Sequence, residues 1–181
     1  MIIGVINIKG GVGKTTSSLA IATAAQRSGL SVTVVDTDPQ GSATLWAQAA
    51  EDADDPLPFP VVSRNQAEIR RMRERRPDRN GELIVIDTPP NGAVVDEAIK
   101  TADFVVIPTL SSPIDLQQTM LTAAQCQDAG KDYAVLIVMA RKGTNALRAF
   151  RTAVEEYGAG IFDTEIPLRE DFKADFGHTF R

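Results

Sequence analysis

A run of glycine, lysine and threonine near the start of the chain contains the residue types that bind phosphate: Lys9, Gly10, Gly11, Val12, Gly13, Lys14, Thr15 and Thr16. It follows a stretch typical of a strand, 2–8, and precedes a stretch typical of a helix, 17–28. The glycines let the backbone turn tightly and point N–H groups inward, and the next helix directs its positive dipole end to the same anion. Lys14 would then neutralise the β- and γ-phosphates of a nucleotide, and the Thr15 hydroxyl would bind Mg²⁺.

Three aspartates stand where two apolar, strand-like runs end. Asp36 and Asp38 follow the run 32–35, and Asp87 follows the run 83–86. Ligands of open α/β sheets bind at the carboxyl ends of the strands, so these carboxylates can converge on a metal ion and a γ-phosphate. Each aspartate taken alone is better explained as a turn former or a helix cap. Three of them beside a phosphate loop favour the metal and phosphate role.

Lys9 is a lysine that a phosphate loop does not require. The general pattern has glycine six residues before the last lysine, where this chain has Ile8. A second ammonium group is unfavourable there unless it has further anion to bind, and the alternative is a solvated loop lysine. With these motifs the chain resembles the deviant Walker A ATPases of the ParA/MinD family. The resemblance implies that Lys9 crosses a dimer interface to the phosphates of the partner's nucleotide.

The resemblance also implies the cofactors ATP and Mg²⁺ and their ligands. ATP would be bound by residues 9–16 and, near the base, by a late loop with Pro167 and Arg169. Mg²⁺ would be bound directly by Thr15 and through water by three aspartates: Asp36, Asp38 and Asp87. The segment 139–142 lacks the guanine-reading pattern of GTPases, which favours ATP.

Catalysis, by the same resemblance, depends on four side chains: Lys9, Lys14, Asp38 and Asp87. Asp38 would orient the attacking water, and Asp87 would be the Walker B carboxylate. Residues 88–92 would sense the γ-phosphate, and residues 108–115 would precede a dimer-facing helix. Phosphoryl transfer to water needs positioning and charge neutralisation, and no arginine finger is identifiable in the motifs. We therefore expect slow hydrolysis that a partner stimulates.

Strand-like and helix-like runs alternate along the chain. Strands are predicted at 2–8, 31–36, 60–63, 82–87, 103–108, 133–140 and 161–166. Helices are predicted at 15–28, 42–50, 65–76, 93–101, 114–129 and 145–157. The pattern indicates an α/β fold of the P-loop NTPase type, with a mostly parallel twisted sheet and helices on both faces. We expect one domain over 1–181, without the final C-terminal helix usual in the family, and a solvent loop at 51–60.

The composition favours a cytoplasmic globular protein. The chain has 181 residues, 43% of them apolar, and a net charge of −5, so it can form one sizeable core. A single cysteine, Cys126, excludes an internal disulfide framework and argues against the nitrogenase iron protein, which needs two per subunit. No apolar run approaches about 18 residues, so neither a membrane span nor a signal peptide is expected. The C-terminal phenylalanines, Phe172, Phe176 and Phe180, are expected to pack on the protein body.

Two groups of basic residues are candidates for contact with duplex DNA. The first group has six arginines within ten positions: Arg70, Arg71, Arg73, Arg75, Arg76 and Arg79. The C-terminal basic group has four members: Arg141, Lys142, Arg148 and Arg151. The alternative for either group is a solvated helix face with ion pairs. The C-terminal basic group is preferred, because the family places its DNA face in the C-terminal third of the chain.

The resemblance leads first to a partition ATPase associated with the nucleoid. Its ATP-bound sandwich dimer would bind DNA nonspecifically, hydrolyse ATP slowly and be reset by a ParB-type adaptor. One alternative is a MinD-like or cargo-positioning ATPase, and DNA or liposome binding would discriminate the two. Another is an ATP-dependent synthetase of the dethiobiotin synthetase type, which has no need for Lys9.

Overall fold

The computed structural model describes residues 1–74, 81–168 and 177–180. Its strands are β1 (Ile2–Val5), β2 (Ser31–Asp36), β3 (Val61–Ser63), β4 (Glu82–Asp87), β5 (Phe104–Thr109) and β6 (Asp132–Ile137). Its helices are α1 (Lys14–Arg27), α2 (Ser42–Asp52), α3 (Gln66–Glu74), α4 (Ala93–Thr101), α5 (Pro113–Asp128) and α6 (Asn145–Glu156). The strands form one parallel sheet in the order β3-β2-β4-β1-β5-β6. The predicted α/β fold is confirmed.

Alternate residues of the central strands pack into different cores. Ile84 and Ile86 of β4 face a core formed with α3, α4 and α5. Leu83 and Val85 face the opposite core, formed with α1 and α2. A further core lies between β6 and α6. Both faces of the sheet are covered, which is why its strands are continuous apolar runs rather than alternating ones.

The strand register places the candidate residues at one edge of the sheet. β1 lies between β4 and β5, and Val5 at its end pairs with Asp87 at the end of β4. Asp36 at the end of β2 also pairs with Asp87. Three strand ends therefore stand level where the chain turns from β1 into α1.

Two predicted strands end earlier than expected. β1 ends at Val5 rather than 8, because the amide N–H of Ile8 turns away to the side chain of Thr122 at 3.2 Å. β6 ends at Ile137 rather than 140, and Met139 has a left-handed φ of 51° that extended backbone does not have.

The strand predicted at 161–166 is not formed. Two isolated parallel bridges take its place beside β6: Ile161 with Val135, and Pro167 with Ala140. Between the bridges, the side chain of Glu165 turns to the guanidinium of Arg151 at 3.1 Å. The amide N–H of Ile166 then returns to the carbonyl of Ile137 at 2.9 Å. The segment follows β6 without a continuous ladder.

The prediction of a solvent loop at 51–60 is only partly right. α2 continues to Asp52, and Phe59 is buried in the core against α1 and α2. Residues 177–180 lie over the same region. The ring of Phe180 packs against Trp46 with centroids 5.4 Å apart, which confirms its predicted packing on the protein body. Phe172 and Phe176 lie outside the described residues.

Within the described ranges, none of the helices is both long and apolar enough to cross a membrane.

Candidate functional site

The phosphate loop has the backbone geometry that its glycines predict. Gly11 and Gly13 have φ angles of 73° and 74°, in the left-handed region where a side chain is strained. Gly13 is the N-cap of α1, and Lys14 is the first residue of that helix. The loop thus leads directly into a helix N-terminus, which favours a bound anion.

The side chain of Lys14 folds back over the loop. Its Nζ donates a hydrogen bond to the carbonyl of Lys9 at 2.9 Å, and only 8% of the residue is exposed. Burial lowers the pKa of Lys14, while the negative charges of Asp87 and Asp38 oppose that shift. A phosphate oxygen would offer this buried ammonium group a charged acceptor instead of a neutral carbonyl.

Asp87 lies at the centre of the site and is completely buried. Its Oδ2 accepts a hydrogen bond from Thr15 Oγ1 at 2.8 Å, and its Oδ1 accepts one from Ser18 Oγ at 3.0 Å. Burial raises the pKa of Asp87 to about 7, although the two hydroxyls and Lys14 lower it; Asp36 adds to the rise. The buried carboxylate and the Thr15 hydroxyl are hard oxygen donors, so the residues present fit Mg²⁺ bound with a nucleotide.

Asp36 and Asp38 differ in what their carboxylates already bind. Asp36 accepts a hydrogen bond from the amide of Asp38 at 3.1 Å on Oδ1. Its Oδ2 accepts the amide of Thr44 at 2.9 Å and the Thr44 hydroxyl at 2.7 Å. This geometry favours Asp36 as the anchor of the first turn of α2. Asp38 Oδ1 accepts the amide of Gln40 at 2.9 Å, and among the described residues Oδ2 has no donor, so this oxygen is available to a water.

Two threonines hold the strand ends together. Thr37 Oγ1 donates to the carbonyl of Asp87 at 2.7 Å, and Thr88 Oγ1 donates to the carbonyl of Val5 at 3.0 Å. These bonds fix the carbonyl ends of β2, β4 and β1 against one another. The segment 88–92 predicted to sense the γ-phosphate begins at this junction.

Lys9 lies against α5 of its own chain. Its Nζ forms an ion pair with the carboxylate of Asp115, which is 2% exposed. Asp115 and Ser112 form a capping box at the start of α5. Burial raises the pKa of Asp115, but hydrogen bonds from Lys9 and Ser112 outweigh it and leave the pKa below its usual value. The role of Lys9 across a dimer interface stays a prediction.

Several residues of the site escaped the sequence analysis. Asn7 is fully buried; its Nδ2 donates to the carbonyl of Pro108 and its Oδ1 accepts the amide of Lys9, both at 2.9 Å. A single polar residue within the apolar run 2–8 was the available signal for it. Ser18 and Thr122 carry no such signal, because each looks like an ordinary helical residue.

An apolar cleft of about 390 Å³ adjoins the phosphate loop. Gly13 and Thr16 form one end, and Leu136, Val138 and Pro167 are among its apolar lining residues. Its size and position suit a nucleotide base, and the contact of Pro167 with the base stays a prediction. Arg169, predicted beside it, lies outside the described residues.

The four members of the C-terminal basic group are not equivalent. Arg141 and Lys142 are exposed. Arg148 is also exposed and donates to neutral acceptors, the carbonyl of Gly143 and the side chain of Asn145. Arg151 instead pairs with Glu165 at 3.1 Å. Among the described residues, Arg151 is neutralised by an ion pair, whereas the other three positions have no acidic partner.

The first arginine group is partly an ion-paired helix face. Arg73 and Arg70 of α3 approach the buried carboxylate of Glu97 at 2.9 Å and 3.6 Å. Arg71 is exposed. The other members, Arg75, Arg76 and Arg79, lie outside the described residues.

A phosphate loop after the first strand and carboxylates at neighbouring strand ends define a P-loop NTPase fold. The family model of the CobQ/CobB/MinD/ParA nucleotide binding domain matches residues 3–179, and the chain belongs to that family.

The chain is similar to proteins of different kinds. The chain is 30% identical over 179 residues to the maintenance of carboxysome distribution protein A of Halothiobacillus neapolitanus, covering 94% of this chain and 81% of that one. It is 26% identical over 184 residues to the protein ParA of Rhizobium radiobacter, covering 97% and 82%. Its fold is similar to that of cobyrinic acid a,c-diamide synthase from Mycobacterium smegmatis with bound ADP and magnesium, with a TM-score of 0.75 at 19% identity over 97% and 90% of the chains.

Proposed function

We propose that this chain is an ATPase of the ParA type that positions a cargo, with ATP and Mg²⁺ as its cofactors. The observation that carries the proposal is the junction of Lys14, Thr15 and Asp87 at the level ends of three strands. A phosphate loop alone does not require Lys9, and the presence of this second lysine supports an ATP-bound dimer like that of the family. The similarity to ParA and to the carboxysome distribution protein supports this class.

Each residue has a distinct task in hydrolysis. Lys14 leaves the Lys9 carbonyl for the β- and γ-phosphate oxygens, and the N–H groups of the loop bind the same phosphates. Thr15 and Asp87 would hold Mg²⁺, which when bound neutralises charge on the phosphates. Asp38 offers to the attacking water the carboxylate oxygen that has no donor among the described residues. The chain supplies orientation and charge, and we expect turnover to be slow until a partner stimulates it.

The dimer proposed here binds duplex DNA without sequence preference and works with a ParB-type adaptor. The exposed Arg141, Lys142 and Arg148 support a DNA-binding face. The cargo is either a replicon, as the similarity to ParA suggests, or a large protein assembly, as the similarity to the carboxysome distribution protein suggests. A pull-down with an adaptor encoded by an adjoining gene, in the presence of each type of cargo, would distinguish a replicon from a protein assembly.

A small-molecule synthetase is the second candidate, favoured by the fold shared with cobyrinic acid a,c-diamide synthase. The two functions differ in the acceptor of the phosphoryl group. A positioning ATPase releases phosphate to water with no added acceptor, whereas a synthetase needs a small-molecule acceptor for efficient turnover.

The test compares Lys14→Ala and Lys9→Ala with the wild type. Lys14→Ala should bind ATP roughly tenfold to a hundredfold more weakly, because a charged hydrogen bond to phosphate is removed. Lys9→Ala should bind ATP as a monomer but fail to form the ATP dimer. Calorimetry measures the first effect and sedimentation with ATP the second, and Lys100→Ala, an exposed lysine of α4, is the control. Unchanged ATP affinity in Lys14→Ala would refute the nucleotide site, and normal dimerisation of Lys9→Ala would refute the cross-interface role.

A further inference from the structure

The side chain of Ser18 contacts the carboxylate of Asp87 at the centre of the site. It lies one turn after Lys14 on α1 and is fully buried. Its Oγ lies 3.0 Å from Asp87 Oδ1 and 3.0 Å from the carbonyl of Lys14. The Thr15 hydroxyl contacts the other oxygen, Asp87 Oδ2, at 2.8 Å. The carboxylate is therefore held at both oxygens by hydroxyls of the same helix.

The two hydroxyls are not interchangeable. Thr15 is the residue whose hydroxyl would be drawn to Mg²⁺, and its hydrogen bond to Asp87 would be redirected when the metal binds. Ser18 lies one turn deeper, away from the phosphates, so its contact with Oδ1 can persist. A carboxylate held by only one partner is free to rotate about its last bond, and a second partner removes that freedom.

We propose that Ser18 is a positioning residue for Mg²⁺: its hydroxyl fixes the orientation of the Asp87 carboxylate while Thr15 turns to the metal. The inference rests on the proposed function, because it needs Asp87 to act on Mg²⁺. Ser18 itself touches neither nucleotide nor metal. Its effect is on the metal affinity of the site, whereas nucleotide binding through Lys14 and the loop N–H groups is independent of it.

The chain offers a matched control on the same helix. Thr23 is also buried in α1, and its Oγ1 donates to the carbonyl of Leu19 one turn earlier at 2.8 Å. The Ser18 Oγ likewise lies 3.0 Å from the carbonyl of Lys14, but its single proton is shared with Asp87 Oδ1. Thr23 has no carboxylate neighbour among the described contacts of its hydroxyl. Ser18→Ala and Thr23→Ala both remove a buried helical hydroxyl, but only the first removes a contact with Asp87.

The experiment titrates MgCl₂ into each variant with ADP present and measures nucleotide affinity by calorimetry, after thermal melting has verified folding. In EDTA, Ser18→Ala should bind ADP as the wild type does. With Mg²⁺, the concentration that gives half of the metal-dependent gain in affinity should rise roughly tenfold, a typical effect of removing an outer hydrogen bond to a metal ligand. Thr23→Ala should not change this concentration.

A third variant separates this inference from the proposed function. If Asp87→Asn shifts the Mg²⁺ dependence while Ser18→Ala matches Thr23→Ala, the role of Ser18 is refuted and the metal assignment stands. If Asp87→Asn leaves the Mg²⁺ dependence unchanged, the metal assignment fails and the role of Ser18 fails with it. A loss of ADP affinity in EDTA for Ser18→Ala would also refute the inference, because it would show a general effect on the loop.

Discussion

At the scale of single residues, the site contains an acid, Asp87, whose charged form is destabilised by burial. Asp87 is completely buried, and its pKa is raised to about 7, chiefly by burial. In the unfolded chain the same carboxyl group would lose its proton near its ordinary value of 3.8. Between these values the folded chain binds more protons than the unfolded one, so the free energy of unfolding falls as the pH rises. The loss is complete above about pH 7 and is on the order of 4 kcal/mol.

Replacement of this acid should therefore stabilise the chain. Asp87→Asn removes the cost of a buried charge, and its amide can still pair with the Thr15 and Ser18 hydroxyls. Without nucleotide or Mg²⁺, we expect a higher melting temperature than the wild type at pH 8, and a gain that shrinks as the pH is lowered to 5.5. The same variant should not hydrolyse ATP. Melting curves at several pH values are the measurement, and a pH-independent difference would show that the carboxylate is not responsible.

At the scale of elements, the sequence predicted the motifs with fixed residue types and missed the contacts that depend on the order of the strands. Lys14 and Asp87 were recognisable because a phosphate loop and a strand-end carboxylate need fixed residue types at fixed places. The partners Ser18 and Asp115 were not, since Ser18 is 69 positions from Asp87 and Asp115 is 106 positions from Lys9. Such pairs depend on which strands become neighbours.

The prediction of a strand at 161–166 was wrong. The segment 161–166 has apolar residues only at its ends, and the part between them is polar and includes Glu165, which pairs with Arg151 instead of continuing a ladder with β6. The helices, whose hydrogen bonds are local, were predicted within a few residues of their observed bounds.

α5 contacts the chain at and just before the phosphate loop, through Asp115 to Lys9 and through Thr122 to the amide of Ile8. For Lys9 to reach a partner's nucleotide, its ion pair with Asp115 must open. Asp115→Asn should weaken the contact between this side chain and Lys9. The dimer should then form at an ATP concentration several-fold lower than for the wild type. Sedimentation across an ATP series is the measurement.

The control for that prediction removes the capping contact alone. Ser112→Ala deletes the hydroxyl that caps α5 but leaves Asp115 as the partner of Lys9. The ATP concentration at which Ser112→Ala dimerises should match that of the wild type. If Asp115→Asn needs more ATP than the wild type to dimerise, Asp115 positions Lys9 for the interface instead of restraining it.

At the scale of the whole molecule, net charge limits how the proposed binding of DNA can occur. One subunit has a net charge of −5, so long-range attraction to a duplex is weak and a local basic surface must act. A dimer presents that surface twice, and two linked contacts bind far more tightly than one. Affinity should therefore require ATP, ignore sequence and fall steeply with salt.

The C-terminal basic group offers a matched pair for testing this surface. Arg148 is exposed and its acceptors within the described part of the chain are neutral, whereas Arg151 is neutralised by Glu165. Arg148→Gln should flatten the dependence of log K on log salt by about 0.9 for each phosphate that is no longer neutralised, or roughly twice that in a dimer. Arg151→Gln should leave the slope unchanged, and neither variant should alter ATP-driven dimerisation. If Arg148→Gln keeps the wild-type slope and Arg71→Gln on α3 lowers it, the DNA-binding face is the one formed by the first arginine group.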